Sequence, residues 1–131
     1  MWNEILTSED ISKLMEIFGG FHDSCMKEMK YISGAFVDSD LRMQAMNNKR
    51  IAKIIFQRQY KNPSTIEMEF SEVEKLKLPP SDEQYSCEIF DVTCTIENDC
   101  IFWYDSSGCV VGYEHDGMWI CAKKARWRPL D

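Results

Sequence analysis

Basic residues are missing from a long stretch of this chain, and histidine is scarce throughout it. Between Leu78 and Ala122 there is no Lys or Arg, and the sequence contains only two histidines. No apolar run approaches the roughly 20 residues that span a bilayer, and no repeat, low-complexity tract or long Pro/Gly/Ser linker divides the chain. The CxxC spacing of zinc knuckles is also absent. We therefore expect one water-soluble domain over residues 1–131, away from membranes and with no cofactor or metal.

The cysteines and the first residues of the chain indicate a cytoplasmic protein. The opening segment is acidic and lacks the continuous apolar region of a secretory signal. Six cysteines lie in apolar, strand-like contexts, where a free thiol behaves as a small hydrophobic group. Two alternatives stay open, namely disulfides that join Cys94 to Cys100 and Cys109 to Cys121 across hairpins.

One helix is predicted near the N-terminus. Thr7 or Ser8 is a suitable N-cap, and acidic residues in the first turn favour the helix dipole. Apolar residues then recur at helical spacing, at Ile11, Leu14, Met15 and Phe18. Gly19 and Gly20 end the helix, because glycine adopts the left-handed conformation at little cost.

The rest of the chain is predicted to be extended. The expected fold is α+β, with the N-terminal helix packed on a mostly antiparallel multi-stranded sheet that ends in a C-terminal meander. Apolar and polar residues alternate most regularly in residues 50–60 and 65–70. Further strands are predicted at residues 25–32, 35–43, 85–96, 101–105, 109–114 and 118–127. Residues 73–78 fit a strand or a helical turn equally well, and residues 101–104 are apolar on both faces, which requires cover on both sides of the sheet.

Charge is distributed unevenly along the predicted strands. The segment from Leu41 to Ile66 has six Lys and Arg and no carboxylate, whereas the C-terminal meander is wholly acidic. The basic strand, with interleaved aromatic residues, is compatible with a phosphate backbone. The acidic meander is compatible with a basic protein partner. Alternatively, strands of opposite charge pair across the sheet and leave a mixed surface. Nucleic acid is the least favoured partner, because the chain is acidic overall, and the oligomeric state stays open.

Two kinds of candidate site follow from the polar residues. His22, Asp23 and Ser24 at the helix-to-strand junction either lock the backbone or form a small hydrolase or metal-dependent centre, in which His22 and Ser24 lie on the same face of a strand. His115-Asp116 is predicted to belong to a hairpin turn. Carboxylates of the meander form the second candidate, a protein-binding surface or an acid-base pair. Its members are Glu88, Asp91, Asp105 and Glu114.

The segment FGGFHDS, followed by a strand and by RIAKIIFQRQYKNPSTIEMEF, resembles small uncharacterised bacterial domains that begin with a helix and an FHD[SA] junction. The resemblance covers about the first 70 residues, with Phe21 to Ser24 as its motif. Some of those domains are similar to immunity proteins of contact-dependent toxin systems, which bind and block a cognate toxin. The resemblance therefore implies a protein-binding, non-enzymatic role. We expect an acidic interaction module of immunity type, with the hydrolase at His22, Asp23 and Ser24 as the alternative.

Overall fold

Most of the strands belong to a single antiparallel sheet. The computed structural model describes every residue from Met1 to Asp131. In chain order the elements are β1 (Asn3–Ile5), α1 (Ser8–Ile17), a short 3-10 turn (Gly19–Phe21), β2 (Ser24–Ile32), β3 (Phe36–Val37), β4 (Met43–Gln44), β5 (Ile51–Arg58), β6 (Thr65–Lys77), β7 (Thr93–Glu97), β8 (Cys100–Tyr104) and β9 (Trp119–Pro129). The main sheet has the order β2-β5-β6-β9-β8-β7, with β1 beside β9. The predicted α+β fold with an N-terminal helix and a C-terminal meander is confirmed.

The helix begins and ends where its sequence predicts. The Thr7 hydroxyl accepts a hydrogen bond from the Asp10 N–H, and the Asp10 carboxylate accepts from the Thr7 N–H at 2.9 Å, which together form a capping box. The N–H groups of Leu6 and Thr7, which both donate to the Asp10 carboxylate, lower the pKa of Asp10. At the other end Gly19 has a φ of 63°. Arg58 on β5 completes the C-terminus by donating to the Ile17 carbonyl at 3.0 Å.

The main core lies between the helix and one face of the sheet. The alternating residues of β5 and β6 are fully buried there, namely Ala52, Ile54, Phe56, Ile66, Met68 and Phe70. Phe21 follows the helix and packs edge-on against Phe18, Phe56 and Trp103, at ring-centroid distances of 5.1, 5.1 and 5.8 Å. This residue thus joins the helix to the centre of the sheet.

A second cluster covers the opposite face of β8 and β9. It consists of Cys100, Tyr104, Trp119 and Cys121, with Phe102 and Cys109 against it. Its cover is the loop between β8 and β9, because the Tyr104 hydroxyl accepts from the Gly112 N–H at 2.9 Å and donates to the Tyr113 carbonyl at 3.3 Å. The expected cover on both faces of residues 101–104 is therefore present.

The sheet curls until its two ends approach each other. Ser24, the first residue of edge strand β2, exchanges backbone hydrogen bonds with Ile89, which precedes the other edge strand β7. Ile89 and Val92 thereby enter the main core. We call residues 78–92, which run from β6 to β7, the strap. It runs past the start of β2, close to the helix-to-strand junction, before it enters β7.

Three strand predictions need correction, and one open alternative is resolved. Residues 35–43 contain only β3, the start of β4 and a turn, because the Asp38 carboxylate accepts from the N–H groups of Asp40 and Arg42. Residues 109–114 are loop, because β8 already lies between β7 and β9 and offers no free edge. The strand expected at residues 85–96 begins only at Thr93. Residues 73–77 extend β6, with a bulge between Val73 and Lys75.

Candidate functional site

The basic charge of the middle strands is largely paired within the sheet. Glu69 of β6 faces Lys53 on one side and Arg126 on the other, at 3.9 and 3.0 Å. Glu67 pairs with Arg128 of β9 at 2.8 Å. Both arginines also lie over the ring of Trp2, 4.2 and 4.4 Å from its centroid. Positive and negative side chains thus alternate across the outer face of the sheet. This is the alternative in which strands of opposite charge pair and leave a surface of mixed charge.

Two further cations of the basic segment stabilise the fold. The Arg58 guanidinium donates to the carbonyls of Ile17 and Pro63 and lies over the Phe18 ring. Arg50 donates to the Val73 carbonyl at 3.2 Å. These two guanidinium groups are hydrogen-bonded to backbone carbonyls of the protein. They therefore do not form, along β5, a continuous basic surface that is free to bind phosphates.

Negative charge, by contrast, stays unpaired at one side of the molecule. The segment from Leu78 to Ala122 has nine carboxylates and no Lys or Arg, so its formal charge is −9, whereas the rest of the chain carries +2. Four of these carboxylates lie on the strap and are exposed, and none forms an ion pair. We call them the acidic face: Asp82, Glu83, Glu88 and Asp91.

The acidic face surrounds two adjoining cavities under the strap. Asp82 and Glu83 border a cavity of about 440 Å³, and Glu88 and Asp91 border one of about 380 Å³. The residues common to both are Ser81, Cys87, Ile89 and Asp105. Apolar side chains also line the larger cavity, namely Met26, Leu78, Pro79, Pro80, Tyr85, Ile89, Trp103 and Met118. The site therefore combines apolar walls with a rim of carboxylates.

Two aromatic side chains of the strap are exposed beside these cavities. Tyr85 is 76% and Phe90 64% exposed. Trp103 lines the larger cavity, and its Nε1 is buried with no hydrogen-bond partner in the protein. Exposed aromatic residues are a feature of binding surfaces, where a partner covers the ring.

His22 connects the helix-to-strand junction to the strap. Its Nδ1 lies 2.7 Å from the Phe90 carbonyl, and its Nε2 lies 3.3 Å from the Asp23 carboxylate. The bond to Phe90 and the neighbouring Asp23 charge raise the pKa of His22. More distant charges on Asp91 and Glu88 act in the same direction. The structure therefore brings the two predicted sites together, because His22 lies beside the carboxylates of the strap.

Ser24 takes no part in a contact with His22. Its side chain is buried, 2% exposed, and its hydroxyl donates to the Phe21 carbonyl at 2.6 Å. Asp23 has a φ of 55°, in the left-handed region that tight turns use. The contacts at this junction hold the backbone between the helix and β2. They include no contact between a nucleophile and a base, which the hydrolase hypothesis requires.

The remaining predicted carboxylates lie apart from each other. Asp105 accepts from His115 Nε2 at 2.6 Å and from the Met118 N–H at 2.9 Å. Glu114, which directly precedes His115 in the loop, forms an ion pair with Lys77 at 3.6 Å. Of the four residues predicted for protein binding, Glu88, Asp91 and Asp105 therefore border one cavity and Glu114 does not.

The sequence did not reveal that His115 lies between Asp105 and Cys109. The Cys109 sulfur is 3.8 Å from His115 Nδ1. Residues 109–114 were predicted as a strand and His115-Asp116 as a turn, which would have placed the imidazole at a hairpin tip. The useful signal was the clustering of Asp105, Cys109 and His115 within one interval between two strands.

Comparison with protein-family models, curated proteins and solved structures gave no match. None of the helices has the length and apolar character needed to cross a membrane. No group of three or more His, Cys, Asp or Glu side chains is arranged as a metal site. The geometry of the strap is therefore the basis for a functional proposal.

Proposed function

We propose that this chain is an acidic protein-interaction module of immunity type, which binds a basic protein such as a toxin through the acidic face and the cavities under the strap. The observation that carries the proposal is a contrast in pairing, because the positive side chains named above have partners within the chain and the carboxylates of the acidic face have no ion-pair partner. Lys53, Arg126 and Arg128 are paired with glutamates and Arg50 and Arg58 are bonded to backbone carbonyls, whereas the four carboxylates of the acidic face have no ion-pair partner. A basic partner supplies the missing charge and is drawn to this side of the molecule by the field.

The larger cavity suits a lysine or arginine side chain of the partner. The aliphatic stem of such a residue packs against apolar walls such as Trp103 and Met118, while its charged end stays near Asp82 and Glu83. Tyr85 and Phe90 add apolar contact at the rim. Aromatic and charged anchors near a cavity supply much of the free energy of many protein complexes.

The test compares three baits in pull-downs from the source cell. The first is the wild type, and the second carries Glu83→Lys, Glu88→Lys and Asp91→Lys. The matched control carries the same change of charge away from the strap, with Glu16→Lys, Glu28→Lys and Asp40→Lys. We expect a basic protein to be recovered with the wild type and the control, to be lost with the second bait, and to dissociate as salt is raised.

The immunity role is tested with the captured protein itself. Its expression alone should arrest growth, and co-expression of the wild type or the control should restore it, while the charge-reversed strap should not. If all three baits recover the same proteins in equal amounts, the acidic face is not the binding surface. If the captured protein is harmless when expressed alone, the module binds a partner but does not neutralise a toxin.

A further inference from the structure

The loop between β8 and β9 holds a thiol, an imidazole and a carboxylate in sequence. Cys109 Sγ lies 3.8 Å from His115 Nδ1, and His115 Nε2 lies 2.6 Å from Asp105 Oδ1. A carboxylate only accepts hydrogen bonds, so Nε2 carries the imidazole hydrogen and the lone pair of Nδ1 faces the thiol. This is the arrangement of a nucleophile, its base and the group that orients the base.

The surroundings hold this arrangement in place. The second oxygen of Asp105 accepts from the Met118 N–H at 2.9 Å. The His115 ring lies edge-on to Tyr104, with 5.8 Å between ring centroids, and Lys77 donates to the His115 carbonyl at 2.8 Å. Gly117 leaves room for this pair, since a Cβ there would lie 2.4 Å from Asp105 Oδ1 and 2.8 Å from His115 Nε2.

Cys109 differs from the other five cysteines. It is the only one whose sulfur contacts an imidazole, and it is partly exposed. Burial raises the pKa of the Cys94 thiol to about 12. Burial, together with the neighbouring Cys100 thiol, also raises the pKa of Cys121 to about 12. Cys100 donates to the Glu74 carboxylate at 3.4 Å. The Cys109 thiol itself lies between two acceptors, His115 Nδ1 and the Ser106 carbonyl at 3.4 Å.

A hollow of about 340 Å³ opens beside the sulfur. It is lined by Cys109, Val110, Tyr113, Glu114 and His115. Val110 and Tyr113 supply apolar contact, and the Glu114 carboxylate, which is paired with Lys77, leaves no free positive charge here for an anionic group. The backbone N–H of Val110, which lines the hollow, donates no hydrogen bond within the chain. The hollow therefore suits a small uncharged acyl group.

We propose that Cys109, His115 and Asp105 form an acyl-transfer site for small uncharged esters or thioesters. The Cys109 thiol proton moves to His115 Nδ1 while the sulfur attacks the carbonyl carbon of the acyl donor. The carbon–sulfur bond forms, the bond from that carbon to the leaving oxygen or sulfur breaks, and His115 returns the proton to the leaving group. The products are S-acylated Cys109 and an alcohol or thiol, and water releases the acyl group as a carboxylic acid by the same route.

The test uses p-nitrophenyl acetate as the acyl donor. Release of p-nitrophenol is followed in absorbance, and peptide mass spectrometry locates the acetyl group. We expect rapid acetylation of Cys109 in the wild type, and none at this position in Cys109→Ser. General-base assistance is worth about a hundredfold or more, so His115→Ala should slow acetylation of Cys109 by that factor. Added imidazole should restore part of the rate, which a purely structural role of His115 does not predict.

A matched pair of variants tests the orienting carboxylate. Asp105→Asn should slow the acetylation, whereas Asp116→Asn, which removes a neighbouring charge that makes no contact with the imidazole, should leave it unchanged. Circular dichroism confirms that each variant is folded. The proposal is overturned if Cys109 in the wild type reacts no faster than the exposed thiol of Cys87, or if a folded His115→Ala variant keeps the wild-type rate.

Discussion

The substitution Gly117→Ala tests the tightest contact in the loop between β8 and β9. The Cβ of the alanine would lie 2.4 and 2.6 Å from the two oxygens of Asp105, well inside van der Waals contact. The backbone of Gly117 is not in the left-handed region, so alanine is not excluded by its φ. The effect of the substitution therefore depends on whether the Asp105 carboxylate has to move.

The expected magnitude follows from the bonds that Asp105 makes. Its carboxylate accepts from His115 and from the Met118 N–H, at 2.6 and 2.9 Å. A hydrogen bond to a charged group contributes about 1.5–3 kcal/mol. The Asp105 and His115 side chains are 30% and 20% exposed, so hydrogen bonds to water replace part of the stabilisation that the broken bonds supplied. We expect Gly117→Ala to lower the free energy of unfolding by about 1–3 kcal/mol in urea denaturation.

A double-mutant cycle identifies the cause. In an Asp105→Ala background the new methyl group meets no carboxylate, and its remaining close neighbour, His115 Nε2 at 2.8 Å, belongs to a ring that Asp105 no longer holds, so Gly117→Ala should then cost much less. The coupling between the two positions should equal most of the cost in the wild type. An equal cost in both backgrounds would refute the reasoning, since the strain would then lie in the backbone or in other neighbours.

Three further predictions concern the helix, the junction and the core. Thr7→Ala removes the N-cap and should cost about 1 kcal/mol in denaturant unfolding, whereas Ser8→Ala should stay within about 0.5 kcal/mol; equal effects would contradict the assigned cap. The pKa of His22 is raised in the folded protein, so its added stability is present below pH of about 6.5 and is lost as pH rises through the raised value. Relative to His22→Gln, the wild type should gain stability on going from about pH 8 to about pH 6, and parallel pH profiles would rule this out. Phe21→Ala should cost about 3–5 kcal/mol because the ring is fully buried among three aromatic side chains, and a loss under about 1 kcal/mol would show that the core closes over the gap.

Local patterns in the chain were sufficient for the helix and the central strands. The helix has both a cap and a glycine stop, and the alternation in β5 and β6 corresponds to one fully buried face. These features depend on neighbours within a few residues, so one sequence is enough to predict them. The predictions failed at residues 109–114, because β8 pairs directly with β9, and at residues 35–43, because the Asp38 carboxylate bonds the backbone into a turn.

The sequence shows that basic and acidic residues are concentrated in different segments of the chain. It does not show which of these residues form ion pairs in the folded protein. Charge counts locate a basic segment and an acidic one, whereas only strand order shows which of them is neutralised. Because β6 lies between β5 and β9, Glu69 pairs with Lys53 of the preceding strand, and Glu67 and Glu69 pair with arginines of β9, which is distant in the chain. The strap has no such neighbour, and its carboxylates keep their charge exposed.

The sequence by itself determined the fold class, the helix with its cap and stop, the strands β2, β5 and β6 and the acidic C-terminal segment, because each is encoded by periodicity, turn chemistry or composition. Tertiary structure alone decided the strand order, the placement of His22 beside the strap and the contact of Cys109 with His115 and Asp105. Those contacts join residues that are separated by loops, and a loop is shaped by the surface on which it packs. Here that surface is Tyr104, whose hydroxyl holds the loop between β8 and β9 in place.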